Sequence, residues 1–125
     1  MNNFPPAPIA IFAYNRLTHL KITISALKKN YLAKSSELII FSDGPKTNIK
    51  SDSAKILEIR NYLNKINGFK NVTINIRKKN IGLSKNIITG VSQVLKKYKK
   101  IIVIEDDLVP NKFFLEYMNN GLEIY

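Results

Sequence analysis

Four short apolar runs alternate with segments whose apolar residues recur every three or four positions. The runs are Pro8 to Ala13, Glu37 to Ser42, Val72 to Ile76 and Ile101 to Ile104. A run of that length suits a strand, whereas three- and four-residue steps put apolar side chains on one stripe of a helix. Strands separated by helices give βαβ units, and so a mostly parallel, Rossmann-like α/β sheet with helices on both faces. Leu17, Leu20, Ile24, Leu27 and Tyr31 form the stripe of a first helix. Ser51 or Asp52 can cap a second helix, whose buried face is Ile56, Ile59, Leu63 and Ile66, before Gly68 ends it. Ser84 can cap a third, with Ile87, Ile88, Val91, Val94, Leu95 and Tyr98 inward. Pro110 suits the first turn of a last helix carrying Phe114, Tyr117, Met118 and Leu122 on one side. The strand from Val72 reads as an edge strand.

At 125 residues the chain is at most one domain. With no cysteine, disulfides and thiolate metal sites are excluded. No apolar run approaches the roughly 20 residues of a membrane span, and Met1 to Pro6 has neither the basic nor the apolar region of a secretory signal. A cytoplasmic protein is the expectation. The net charge of +11 draws anions of any kind: nucleotides, nucleic acid, acidic glycans or an anionic membrane. Lysine, asparagine and isoleucine are all plentiful, so a compositional bias explains the charge as readily as a binding surface does.

The chemistry concentrates at strand ends. In a parallel sheet all carboxyl ends share one edge, where ligands of α/β folds bind. Asn15 and Arg16 follow the first strand and Asp43-Gly44 the second; Arg77 to Lys85 follow the third. The fourth delivers Glu105-Asp106-Asp107. Three successive carboxylates beside a buried strand repel one another and resist desolvation, which calls for a positive partner. A divalent cation with oxygen ligands is the simplest one. Arg16 and Lys85 each open a helix, against its dipole by ~0.3–1 kcal/mol, which a bound anion would offset. A rim of alternating cations and carboxylates suits a metal-bound phosphate ester. Each residue also has a plainer explanation: a solvated arginine or lysine, a turn aspartate, a polar strand end. The five glycines form neither GxGxxG nor a Walker A loop, and a single histidine, His19, makes a catalytic triad or His-rich metal site a poor fit.

The order Tyr14-Asn15-Arg16, Ser42-Asp43-Gly44, Asn80 to Asn86 and Ile104 to Leu108, followed by Pro110, Phe113, Phe114 and Tyr117, resembles the nucleotide-sugar-binding half of GT-A glycosyltransferases. The likeness is to N-acetylglucosaminyltransferase I and its bacterial relatives, and it runs nearly the whole chain. It implies a metal-dependent transfer of a hexosyl or N-acetylhexosaminyl group from a nucleoside-diphosphate donor, expected to be a UDP-sugar, to a glycan or lipid-linked acceptor hydroxyl. Carried over by position, Asp107 would ligate Mn²⁺ or Mg²⁺, with Asp106 and Glu105 supporting the metal shell or meeting the donor. Asp43 would hydrogen-bond the uracil, Arg16 would contact the nucleotide and Lys85 a phosphate. The resemblance puts the acceptor site and the catalytic base beyond Tyr125. It therefore implies the front part of a longer domain, weak in transfer by itself, with an apolar end that docks on the missing region or a partner. Peripheral association with the inner face of the membrane is compatible with it. Three other readings stand beside it: a basic nucleic-acid-binding module, a phosphoryl-transfer domain using the same acidic pocket, and a noncatalytic interaction remnant.

Overall fold

A computed structural model describes residues 5–124; the expectations for Met1 to Phe4 and for Tyr125, and for the side chain of Ile124, lie outside the described residues. Four strands, β1 (Ile9–Ala13), β2 (Glu37–Ser42), β3 (Asn71–Ile76) and β4 (Ile102–Glu105), alternate with helices α1 (Leu17–Lys28), α2 (Asp52–Leu63), α3 (Leu83–Tyr98) and α4 (Phe114–Ile124). A short 3-10 turn, Ala33–Ser35, precedes β2. All strand pairs are parallel, in the order β3-β2-β1-β4. The fold is an α/β sandwich of the Rossmann-like kind, with β3 at one edge as the sequence implies.

The handedness of crossovers sets the layers. From β1 through β2 to β3 the chain steps in one direction, then returns past β1 to β4. Because β-crossover-β units are right-handed, reversing direction moves the crossover helix to the other face. One core accordingly joins Ile9, Ile11, Leu38 and Ile40 to Leu20 and Ile24 of α1 and Ile59 of α2, with Leu115 of α4 added. The other joins Ala10, Phe12, Ile39 and Phe41 to Val94 of α3. Three helices thus share one face and a single helix covers the other.

That single helix packs on a stacked pair, Phe12 and Phe41, whose ring centroids lie 5.1 Å apart. It comes close because Gly90 has no side chain: a Cβ there would stand 2.6 Å from Phe12 Cε1 and 3.1 Å from Phe41 Cδ2. One helix cannot cover a whole sheet face, and this explains where the apolar stripe misleads. Ile88 is 67% exposed and Leu95 38%, on the flank of α3, and Val103 of β4 is 39% exposed on the same face of the sheet. Of the expected stripe Val94 is buried and Ile87, Val91 and Tyr98 pack against the core, while Asn86 and Gly90 are buried as well.

Other corrections are local. Tyr31 falls beyond α1 and is exposed, and Ile66 lies past the end of α2. Ser84 is inside α3, whose N-cap is Gly82 in a glycine-specific conformation (φ 86°, ψ 156°). Neither Ser51 nor Asp52 caps α2 with its side chain. Pro110 stands four residues before α4, which buries Leu115 and Asn119 while Tyr117 is exposed. Asn119 accepts from the Ala7 amide at 2.7 Å and so ties α4 to the segment entering β1. Among the described residues no helix is long and apolar enough to cross a membrane.

Alanine is the better helix former by ~1 kcal/mol, but overpacking a tight contact costs about 1–3 kcal/mol. Gly90→Ala is therefore expected to lower the urea midpoint, and an unchanged or raised midpoint would show that the aromatic pair yields freely.

Candidate functional site

The strand order reverses between β1 and β4, and a crevice at the carboxyl ends of such strands is the usual ligand site of open α/β sheets. A cleft of about 310 Å³ opens there. Its walls include Tyr14 and Arg16 from the end of β1, Asp43 and Lys46 after β2, Asn80 before α3 and Asp106 after β4. Arg16 and Asp106, 90 positions apart in sequence, therefore meet, as parallel strands require.

Arg16 and Asp106 form the closest ion pair, Nη2 to Oδ1 at 2.7 Å, and Arg16 Nη1 lies 3.8 Å from Asp107 Oδ2. The Asp106 side chain is almost wholly buried, whereas Arg16 and Asp107 are 48% and 41% exposed. Burial pushes the Asp106 carboxyl above its ordinary range, and the Arg16 guanidinium opposes that shift. The chain after β4 is fixed by Thr23 of α1, whose buried hydroxyl donates to the Asp106 carbonyl at 3.0 Å. Asn30 continues the anchoring. Its amide donates to the Asn111 carbonyl at 3.1 Å, and its oxygen accepts from the Leu115 amide at 2.9 Å in the first turn of α4.

Glu105 does not join this group. Side chains alternate along a strand, and Glu105 is paired in register with Phe12, on the α3 face, while its neighbour Ile104 belongs to the opposite core. Nor does Lys85 line the cleft; it is an exposed residue of the first turn of α3.

Asp43 is 3% exposed and works inside the chain. Its Oδ1 accepts from the amides of Gly44 at 2.8 Å and Ile81 at 2.9 Å; its Oδ2 accepts from the Gly82 amide at 3.1 Å and Asn80 Nδ2 at 3.3 Å. A carboxylate offers about four lone-pair positions, and all are taken. Asp43 thereby fastens the Asn80-Ile81-Gly82 loop to the end of β2. Gly44 belongs to the same junction, since a Cβ there would lie 2.5 Å from the Lys79 carbonyl carbon. From α2, Arg60 donates to the Asp43 carbonyl at 3.3 Å and the Arg77 carbonyl at 2.8 Å, clamping the ends of β2 and β3 together.

Two helices begin at this edge without side-chain caps. Neither α1, after Arg16, nor α3, after Gly82, has an acidic residue in its first turn. Free amides and the positive end of the dipole remain available to an anion.

The arrangement also contains groups that sequence reasoning passed over. Lys46, two residues past the Asp-Gly turn, places its ammonium 5.8 Å from the centre of the Tyr14 ring. The Tyr14 hydroxyl donates to Asp52, a fully buried carboxylate. Burial and that acceptor push the Tyr14 phenol up to about 12. Tyr14 had the clearest local signal, its place directly after β1, whereas Lys46 stands four residues past the end of β2.

Among the described residues no three His, Cys, Asp or Glu side chains gather as a metal cage. Mg²⁺ and similar ions are commonly held by only one or two carboxylates plus phosphate oxygens and waters. Asp107, with an exposed carboxylate beside the cleft, fits that sparser mode. No family model matches the chain, and no curated protein matches it.

Asp43→Ala would leave several buried amides without an acceptor, and is expected to destabilise the fold by about 1–3 kcal/mol or more in urea unfolding. The Tyr14 phenol is raised from 10.0 to about 12 in the folded chain, so its contribution to stability is complete below pH 10 and lost as pH rises through about 12. Tyr14→Phe should flatten that alkaline decline, measured as urea midpoints across the window; an equally steep decline would contradict the assignment.

Proposed function

We propose that the chain binds a nucleoside-diphosphate sugar, expected to be a UDP-sugar, in the cleft at the β1–β4 junction. It would act as the donor- and metal-binding half of a glycosyltransferase that moves the sugar to an acceptor hydroxyl. The observation that carries this reading is the meeting of Arg16, Asp106, Asp107 and two uncapped helix N-termini at one sheet edge.

Charge builds on the departing diphosphate during transfer, and donors already aimed at that charge lower the barrier. Arg16 is half exposed and already oriented by Asp106, so it can turn a free face of its guanidinium to a phosphate oxygen without leaving its partner. The amides opening α1 and α3 add donors that need no reorganisation. Lys46 is the second cation of the cleft wall. Asp43 serves by holding the Asn80–Gly82 loop, its acceptor positions being spent. Asp107 would hold Mn²⁺ or Mg²⁺, which when bound supplies Lewis-acid neutralisation of the diphosphate.

Calorimetry of UDP binding with and without Mn²⁺ tests the assignment. Asp107→Ala should abolish the metal-dependent part of the affinity. Arg16→Ala should weaken binding by about tenfold or more, as expected for a lost charge-assisted bond. Unchanged UDP and Mn²⁺ affinity in the Asp107 variant would remove its metal role. Salt-sensitive, metal-independent binding to RNA or DNA, untouched by either substitution, would favour the nucleic-acid reading instead.

A further inference from the structure

Asp52 is a carboxylate that the donor reading leaves without a task. It is the first residue of α2 and completely buried, yet it does not cap its own helix. Its Oδ1 accepts from Asn15 Nδ2 at 2.9 Å. Its Oδ2 accepts from the Lys46 amide at 2.7 Å and from the Tyr14 hydroxyl. The donors come from two separate places: the end of β1, and the loop between β2 and α2.

All three donors are neutral groups. Burial would drive the Asp52 proton affinity up, but the bonds from Tyr14, the Lys46 amide and Asn15 outweigh it and hold the carboxyl below its ordinary range. The anion is thus the form this pocket is built for. An ionised carboxylate only accepts, so it can receive every donor at once; an amide has a single acceptor oxygen and presents N–H to the rest. No neutral replacement keeps all the ties.

We propose that Asp52 is a positioning residue for the ligand cleft, joining the end of β1 to the β2–α2 loop so that Tyr14 and Lys46 stand together as one wall. The Tyr14 ring is a flat apolar surface whose hydroxyl is turned away into the chain. The Lys46 ammonium lies 5.8 Å from the ring centre, within reach of a cation–π contact. Asn80 Nδ2 holds this loop at the Gly44 carbonyl at 3.0 Å, and the bond to Asp52 is the tie at Lys46 itself. The ligand class is an anion attached to a planar group, which a nucleoside diphosphate satisfies; in this respect the inference rests on the donor reading.

The test uses the whole chain and UDP as the probe, with two readouts. Spectrophotometric titration of tyrosinate in the unchanged chain should show a late component near pH 12, the Tyr14 value. Tyr14→Phe should remove that component, and Asp52→Asn should move it towards 10.0, the ordinary phenol value. A purely structural loss elsewhere in α2 would not move it while circular dichroism stays unchanged. In calorimetry, Asp52→Asn and Lys46→Ala should each weaken UDP binding on the order of tenfold, and Asp52→Glu should recover part of the loss. Should Asp52→Asn fail to fold, Tyr14→Phe removes one tie at a time and carries the same comparison. A folded Asp52→Asn chain that binds UDP as tightly as the unchanged one overturns the inference while leaving the donor reading intact. An unchanged chain that ignores UDP overturns the donor reading, and the ligand role of Asp52 with it; the tyrosinate titration then still decides whether the brace exists.

Discussion

Parallel strands joined by crossovers of one hand fix where every charged group of the rim can be. With all four strands pointing the same way, the chain leaves each strand at the same edge. The return from β3 past β1 to β4 puts α3 on the opposite face from α1 and α2, and the two sets of connections diverge at the β1–β4 junction. The cleft is the gap that divergence leaves. Arg16 and Asp106 pair at its wall because each lies just past the end of one of two adjacent strands.

The chain carries only nine acidic residues against twenty basic ones, and four of the nine, Asp43, Asp52, Asp106 and Asp107, stand at this edge. In such a basic chain, acids concentrated at one place mark it off electrostatically from the rest. Three of them are buried, and each meets the cost of burial differently. Asp43 is saturated by three backbone amides and the Asn80 side chain, Asp52 by a phenol, an amide side chain and a main-chain amide, and Asp106 is paired with a guanidinium. Asp107 alone keeps an exposed carboxylate, so among the four it has the most freedom to meet something from outside.

The two cores differ in how completely they were legible. The α1 and α2 stripes read well because three helices share that face and nearly every apolar position finds a partner. On the other face α3 is alone, and its apolar stripe is wider than the contact it makes. Ile88 and Leu95 therefore read as core and are in fact exposed, whereas Asn86, polar by type, is buried with its amide on the Phe41 carbonyl at 3.3 Å. The start of α3 was misplaced for a related reason. Ser84 is a good cap by type, but the conformation of Gly82 decides where α3 begins; Ser51 does stand at the N-cap of α2, though without a side-chain bond.

What the amino-acid sequence determined alone is the succession of strands and helices, the span of β2, and the presence of charged residues past each strand. Periods of two and of about 3.6 residues are local properties, and a parallel sheet then gathers the strand ends at one edge without further information. Tertiary structure decided which of those residues face the cleft and which are consumed in building it. Asp43 binds amides 38 and 39 positions away, and Asp52 binds Tyr14 from 38 positions away. Glu105, next to Asp106, is exposed at the end of β4 and stays outside the cleft wall. Hydrogen bonds across such separations depend on how whole elements settle against one another, and no pattern within a short window of residues carries that information.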